Sequence, residues 1–369
     1  VYAEEVQLRD YDVKRERIGA TLGLDWLITD STTLFFRGVY SSFEDEEIRS
    51  RVTLDFGDAE PVSGSGNTAL FDLSGEEELS VERDVKDRTE TQEITSLLVG
   101  GESFAGAWTF DYEASFTKAE EDESDTFDPT VFERTFEAGE LQIEQRGNAG
   151  DSPRIIVPQT FLTDFTDASS YEFDSVERVK GVAEDEETAL RFNVARDFGI
   201  SNGQGQIKFG MAYRMREKSF DLKQDIFDGF DGDGDFLLSD VSGRVDYPLS
   251  NINPVPSPGR VRGFLGNLSD FELNVAESDF ENASNQYSVD EDILAGYVQL
   301  RIETGPWRII GGVRTERTDN DISGNFVEFV EEGATVNGME LTEDTTFVTP
   351  VSFSKDDTVW LPSINVRYL

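Results

Sequence analysis

The 369-residue chain carries 76 acidic against 32 basic residues, a formal charge of −44, and has no His and no Cys. That sign excludes a nucleic-acid partner, because phosphate contacts need cationic side chains. The missing His and Cys remove Ser-His-Asp and Cys-His catalysis, HExxH metalloprotease sites and thiolate zinc sites. With 37 % hydrophobic residues, a mean hydropathy of −0.43 and no run of eighteen apolar residues, a transmembrane helix is excluded too. The 28 Phe, 10 Tyr and 4 Trp argue against disorder. A membrane β-barrel stays open, since only every second side chain of its strands meets lipid.

Period-two alternation begins at Ile18, Ala20, Leu22, Leu24 and Trp26, with Gly19, Thr21, Gly23 and Asp25 between them. This predicts a strand with one apolar and one polar or small face. Thr29, Asp30 and Ser31 turn the chain into a second strand, with Leu34, Phe36, Gly38 and Tyr40 opposite Thr33, Phe35, Arg37 and Val39. A third strand over 88–100 has ambiguous facing, because Ile94, Leu97, Leu98 and Val99 mix parities. The fourth is the clearest: Trp108, Phe110, Tyr112, Ala114 and Phe116 interleave with Thr109, Asp111, Glu113, Ser115 and Thr117. Further strands are read at 187–197, at 207–216, where Ile207, Phe209, Met211, Tyr213 and Met215 share a face, and at 291–303, 307–317 and 360–369.

The connections alternate in length. Tight links fall near Thr29–Ser31, Gly100–Ala107, Asp197–Gly205 and Thr304–Pro306, and between them run long acidic links over 42–87, 119–186, 219–290 and 319–359. Soluble domains seldom carry repeated structureless connections of that size, whereas outer-membrane barrels have short turns on one side and long loops on the other. Trp26, Trp108 and Trp307 sit beside short turns and Trp360 opens a strand, so all four are expected at strand ends as a membrane girdle. From Trp108 to Phe116, at about 3.3 Å per residue and a tilt of about 40°, the chain covers roughly 23 Å of membrane normal, close to the apolar band of such barrels, about 25 Å tall. The expected architecture is all-β: about nine strands of a transmembrane antiparallel up-and-down β-barrel, forming a curved open sheet with neighbours paired in chain order and aromatic rings outward. Open edges are costly in lipid. The chain is therefore expected to be incomplete.

Two segments go beyond pattern. Asp290-Glu291-Asp292-Ile293-Leu294-Ala295-Gly296-Tyr297-Val298, followed by Gly305-Pro306-Trp307-Arg308-Ile309-Ile310-Gly311-Gly312-Val313-Arg314-Thr315-Glu316, resembles paired barrel strands of TonB-dependent receptors. Trp360-Leu361-Pro362-Ser363-Ile364-Asn365-Val366-Arg367-Tyr368 resembles the strand that follows in that family. The resemblance is specific over 290–369 and architectural before it. It implies a 22-stranded outer-membrane barrel of a Gram-negative bacterium, plugged by an N-terminal domain and energised by TonB with ExbB and ExbD. On that footing 1–369 is an internal piece of the barrel, without the plug and the closing strands. TonB contact then belongs to the missing plug region.

If apolar faces meet lipid, Arg37, Asp111, Glu113, Arg191, Lys208, Arg214, Arg216, Arg314 and Arg367 face the lumen. They are the candidate substrate contacts, set against the plain alternative of a wet interior whose charges pair with one another. Asp231, Asp233 and Asp235 in an Asp/Gly-rich stretch invite a calcium site, but Phe236 stands where an EF-hand needs Gly and Ser242 where it needs Glu, so an acidic flexible loop tip competes. The acidic loops permit steering of cationic ligands or metal chelates; solubility in a saline setting accounts for the same charge. No catalytic role and no cofactor are expected. The leading function is energised uptake of a scarce nutrient such as a siderophore, cobalamin or oligosaccharide, with outer-membrane lipid and the small-molecule cargo as partners. A passive porin is one alternative. A secreted acidic β-sandwich or adhesin binding calcium or carbohydrate is another, and it would bury its Phe-rich faces against each other.

Overall fold

The computed structural model describes residues 2–57, 59–147 and 154–368. The fold is all-β, built on nine long strands: β1 (Glu5–Thr29), β2 (Thr32–Asp55), β3 (Leu79–Ala105), β4 (Trp108–Phe136), β5 (Glu172–Ile200), β6 (Gly203–Phe230), β7 (Tyr287–Thr304), β8 (Trp307–Val330) and β9 (Thr345–Tyr368). Each pairs antiparallel with the next in chain order, giving the expected meander, and a short strand Phe271–Leu273 adds to the far end of β6. Within this sheet β1 and β9 each pair on one side only. Among the described residues no helix is long and apolar enough to cross a membrane.

Register shows why the alternation was legible. Residues opposite one another in an antiparallel ladder share a face. One ladder row runs Trp26, Leu34, Gly101, Tyr112, Phe192, Met211, Gly296, Thr315 and Trp360, crossing all nine strands without a charge. The parallel polar row runs Asp25, Phe35, Gly100, Glu113, Arg191, Ala212, Ala295, Glu316 and Val359. The same register settles the facing of β3: Leu97 and Val99 oppose Gly38 and Phe36 on the apolar face, while Leu98 opposes Arg37 on the polar one. Next to them, the pair Gly100-Gly101 leaves room on both faces for bulky neighbours. A Cβ on Gly101 would lie 2.6 Å from Leu34 Cδ2 and 2.8 Å from the Tyr112 hydroxyl oxygen.

The strands are much longer than the sequence pattern implied. Half of the stretch expected as a structureless link at 42–87 is β2 and β3 themselves, and the other long links shorten in the same way to 137–171, 231–286 and 331–344. The tight links shorten as well, since Gly106-Ala107 and Ser201-Asn202 are the actual turns. Trp360 is accordingly interior to β9 and not at its start; it tops the apolar run Pro362, Ile364, Val366 and Tyr368 on its own strand. The cause is loss of contrast. Glu16 opposes Glu44, Glu93 opposes Glu120, which opposes Glu184, and Asp292 opposes Asp319, which opposes Asp356, so above the apolar band both faces are polar and no alternation marks the strand. Like charges directly opposite are destabilising unless water and counter-ions screen them. This zone is solvated.

Beyond the acidic belt the same face becomes apolar again. Val6, Leu54 and Val81 share one row, Leu8, Val52, Arg83 and Phe132 the next, and Val85, Thr130, Val176 and Phe227 a third. The connections fold over these rows as a cap. It contains a four-stranded sheet of residues 63–65, 68–72, 142–146 and 154–156, and it buries Phe56, Phe71, Leu141, Tyr171, Phe236, Leu238 and Ile252. Phe236 stacks on Phe264 with ring centroids 3.8 Å apart. The long connections are thus packed structure with a hydrophobic core, where flexible acidic loops were expected.

Candidate functional site

Every one of the nine proposed lumen residues lies on the polar face. Glu113 opposes Arg191, Lys208 opposes Ala195 and Gln299, Arg216 opposes Glu187 and Glu291, Arg314 opposes Tyr297, and Arg367 opposes Arg308. The side chains pair with acidic neighbours across or along the strands. Arg37 reaches Asp25 at 2.7 Å, Arg191 reaches Glu113 at 2.8 Å, and Lys208 reaches Asp111 at 3.4 Å. Arg214 lies 3.2 Å from Glu291 and 3.7 Å from Glu187, while Arg216 pairs with Asp185 and Arg314 with Glu316. Arg367 has no ion pair among the described residues. The wall therefore offers hydrogen bonds and nearly self-neutralised charge.

One hollow of about 340 Å³ opens on this wall between β7, β8 and β9, lined on the polar side by Tyr297, Gln299, Ile310, Gly312, Ser363 and Asn365. At Gly312 the strands approach closely, and a Cβ there would lie 2.5 Å from the Val298 carbonyl oxygen. Tyr297 is fixed across Gly210 by donating its hydroxyl to Asn193 Oδ1 at 2.8 Å.

Sequence reasoning missed the densest charged cluster of the polar face because it lies in the stretch taken for a loop. Asp45, Glu47, Arg49 and Arg51 alternate along β2 beside Asp84, Lys86, Arg88 and Glu90 of β3. Asp84 is fully buried, with Arg49 Nη2 3.1 Å and Arg51 Nε 2.5 Å from its two oxygens. Burial outweighs the two guanidiniums and holds its carboxyl above the usual aspartate range. Arg49 and Lys86 both reach Asp128, at 3.4 and 2.7 Å, and Lys86 and Arg88 reach Glu47 at 3.4 and 3.6 Å. Period-two spacing of charges on both strands was the available signal.

No family model matches the chain, and no curated protein matches it. Solved structures do, among them two crystal structures of the ferric-catecholate import receptor Fiu from E. coli K12: the open form at 10 % identity and a TM-score of 0.38, and the closed form at 9 % identity and 0.38. Each alignment covers 96 % of this chain, which spans about half the length of either receptor chain, 51 % and 47 % respectively.

The remaining sequence candidates separate. Trp26, Trp108 and Trp307 flank tight turns on the apolar face, with Trp307 edge-on to Tyr368 at 4.9 Å and Arg196 over the Trp108 ring at 5.1 Å. Asp231, Asp233 and Asp235 are all exposed just past β6, and among the described residues no three acidic side chains form a group able to hold a metal.

Proposed function

We propose that the chain forms nine strands in the wall of a larger outer-membrane β-barrel of a Gram-negative bacterium, a TonB-dependent receptor that imports a scarce small molecule. One observation carries this reading: the charge-free row of β1 to β9 and the rows beside it stay uncovered. Phe116 is 37 % exposed, Phe209 46 %, Met211 54 % and Trp360 68 %. A protein that leaves such a surface in water aggregates, and acyl chains are the solvent it fits. The polar face then lines the lumen, the acidic belt stands above the headgroups, and the cap lies outside the cell. The segments resembling TonB-dependent receptors are consecutive strands, β7, β8 and β9, which supports the finer assignment.

The membrane part is tested by charge placement. Met211 is central in the apolar run of β6, so Met211→Arg is expected to cost about 2–4 kcal/mol in lipid, against about 0–1 for an arginine near the interface. Asp356→Arg, in the acidic belt, is the matched control. Unfolding in lipid vesicles reads both, and equal costs would remove the lipid-facing assignment. A chain that is monomeric and soluble without detergent would favour the adhesin reading.

The transport part is tested with the whole receptor. Uptake of ferric siderophore, cobalamin or oligosaccharide by cells expressing it should cease when TonB is deleted. Uptake that persists without TonB would favour a passive porin.

A further inference from the structure

β7 begins at Tyr287, whereas its neighbours β6 and β8 continue to Phe230 and Val330. Pairing of β6 with β7 ends at Phe220, that of β8 with β7 ends at Ser323, and the short strand 271–273 rejoins β6 only at Phe227. The sheet therefore has a slot one strand wide, edged by residues 221–226 and 324–330. The helix Val275–Ser284 fills it. It takes the place of a strand without making a ladder. Ser278 and Asn282, one turn apart, accept the backbone N–H groups of Ile226 at 2.9 Å and Gln224 at 2.5 Å. On the other side Asn325 donates to the Ala283 carbonyl at 3.0 Å and Thr346 to the Ala276 carbonyl at 2.6 Å.

We propose that this helix is a detachable lid over the slot, seated while Glu177 is protonated and released when Glu177 ionises. The proposal goes beyond the transport reading and does not depend on it. The lid is weakly held: its buried side chains are the small Ala276, Ser278 and Ala283, and its one aromatic contact among the described residues is Phe280 edge-on to Phe329 at 6.1 Å. Little apolar area opposes release, as in elements that open locally. The helix carries Glu277, Asp279 and Glu281 and no basic residue.

Glu177 of β5 opposes Ile226, within the slot edge, and accepts from Gln224 Nε2 at 2.6 Å. The groups acting on it are Asp128 from β4, which Lys86 and Arg49 hold from β3 and β2, and Glu281 and Glu277 from the helix. Burial first, then these three carboxylates, pushes the Glu177 carboxyl up to about 7. The seated arrangement retains a proton that the released one gives up. Seating is therefore fully supported below the ordinary value of 4.5 and is lost as pH rises through about 7.

The amides of Gln224 and Ile226 report directly, because only the helix protects them, while those of Lys223 and Asp225 point to β5. In the detergent-solubilised protein, residue-resolved hydrogen exchange corrected for intrinsic rates should accelerate up to about tenfold at Gln224 and Ile226 between pH 6 and pH 8. Lys223 and Asp225 should not change. Glu177→Gln should reduce the pH effect to under twofold, and Glu277→Gln combined with Glu281→Gln should shrink it. Equal protection at both pH values, absence of protection at either, or an undiminished response in both variants would overturn the lid.

Discussion

Arg83→Met should detach the cap from the sheet while leaving the lower strands in place. Arg83 is fully buried in a ladder row between Val52 and Phe132. No carboxylate reaches it among the described residues. Its Nη1 donates to the Ile252 and Pro254 carbonyls, both at 2.8 Å, and its Nη2 to the Phe165 carbonyl at 2.9 Å, with the guanidinium 5.0 Å from the Phe165 ring centroid and 4.7 Å from that of Tyr171. One side chain thus pins two separate connections to β3. Hydrogen bonds from a charged donor are worth about 1.5–3 kcal/mol each, and orphaned buried carbonyls cost about 1–3 kcal/mol each. Tyr171 still serves the Phe165 carbonyl at 2.8 Å, which limits the damage to the other two. A loss of about 3–5 kcal/mol in cap stability is expected. Limited proteolysis should open 160–171 and 245–265, with strand content by circular dichroism nearly unchanged. Arg83→Lys should rescue only partly, since a point charge lacks the planar fork that serves three acceptors. An unchanged cleavage pattern in Arg83→Met would show that the cap is held by its apolar core alone.

Asp84→Ala should be comparably damaging for the opposite reason. It leaves the guanidiniums of Arg49 and Arg51 half-buried without their shared counter-charge, and breaking a buried ion pair from one side costs about 3–5 kcal/mol. Arg49 keeps Asp128 at 3.4 Å, whereas Asp84 is the one ion-pair partner of Arg51 among the described residues, so Arg51 bears most of the loss. Replacing all three members together, Asp84→Leu with Arg49→Met and Arg51→Met, should recover most of the stability, because well-packed apolar groups often match a buried ion triad. Chemical unfolding in detergent measures both variants against the unsubstituted protein. If the triple variant is as unstable as Asp84→Ala, charge pairing is not what the cluster contributes.

Nine strands, their order and the two faces of their lower halves follow from the sequence alone. Alternation at Ile18 to Trp26, at Trp108 to Phe116 and at Ile207 to Met215 needs no partner to be read, because an exposed apolar band against a polar face imposes period two on each strand separately. The polar-face position of the nine candidates was legible for the same reason, since parity fixes a face before any neighbour is known. The upper halves obey other constraints. At Glu44-Asp45-Glu46-Glu47 both faces are polar, so parity is present in the backbone and invisible in the composition.

Register, the cap and the slot were decided by tertiary structure. Nothing local says that Arg83 will be buried beneath Ile252 and Pro254, since those contacts span 169 and 171 residues. Nor does local pattern show that Asp84 will meet Arg49 and Arg51 from another strand, or that Ser278 and Asn282 will satisfy a strand edge in place of β7. Side-chain period is set by the backbone of one segment and its solvent, and one chain segment is enough to write it down. Which buried polar groups find partners is set by distant segments arriving together, and the sequence records those arrivals only as unexplained residues.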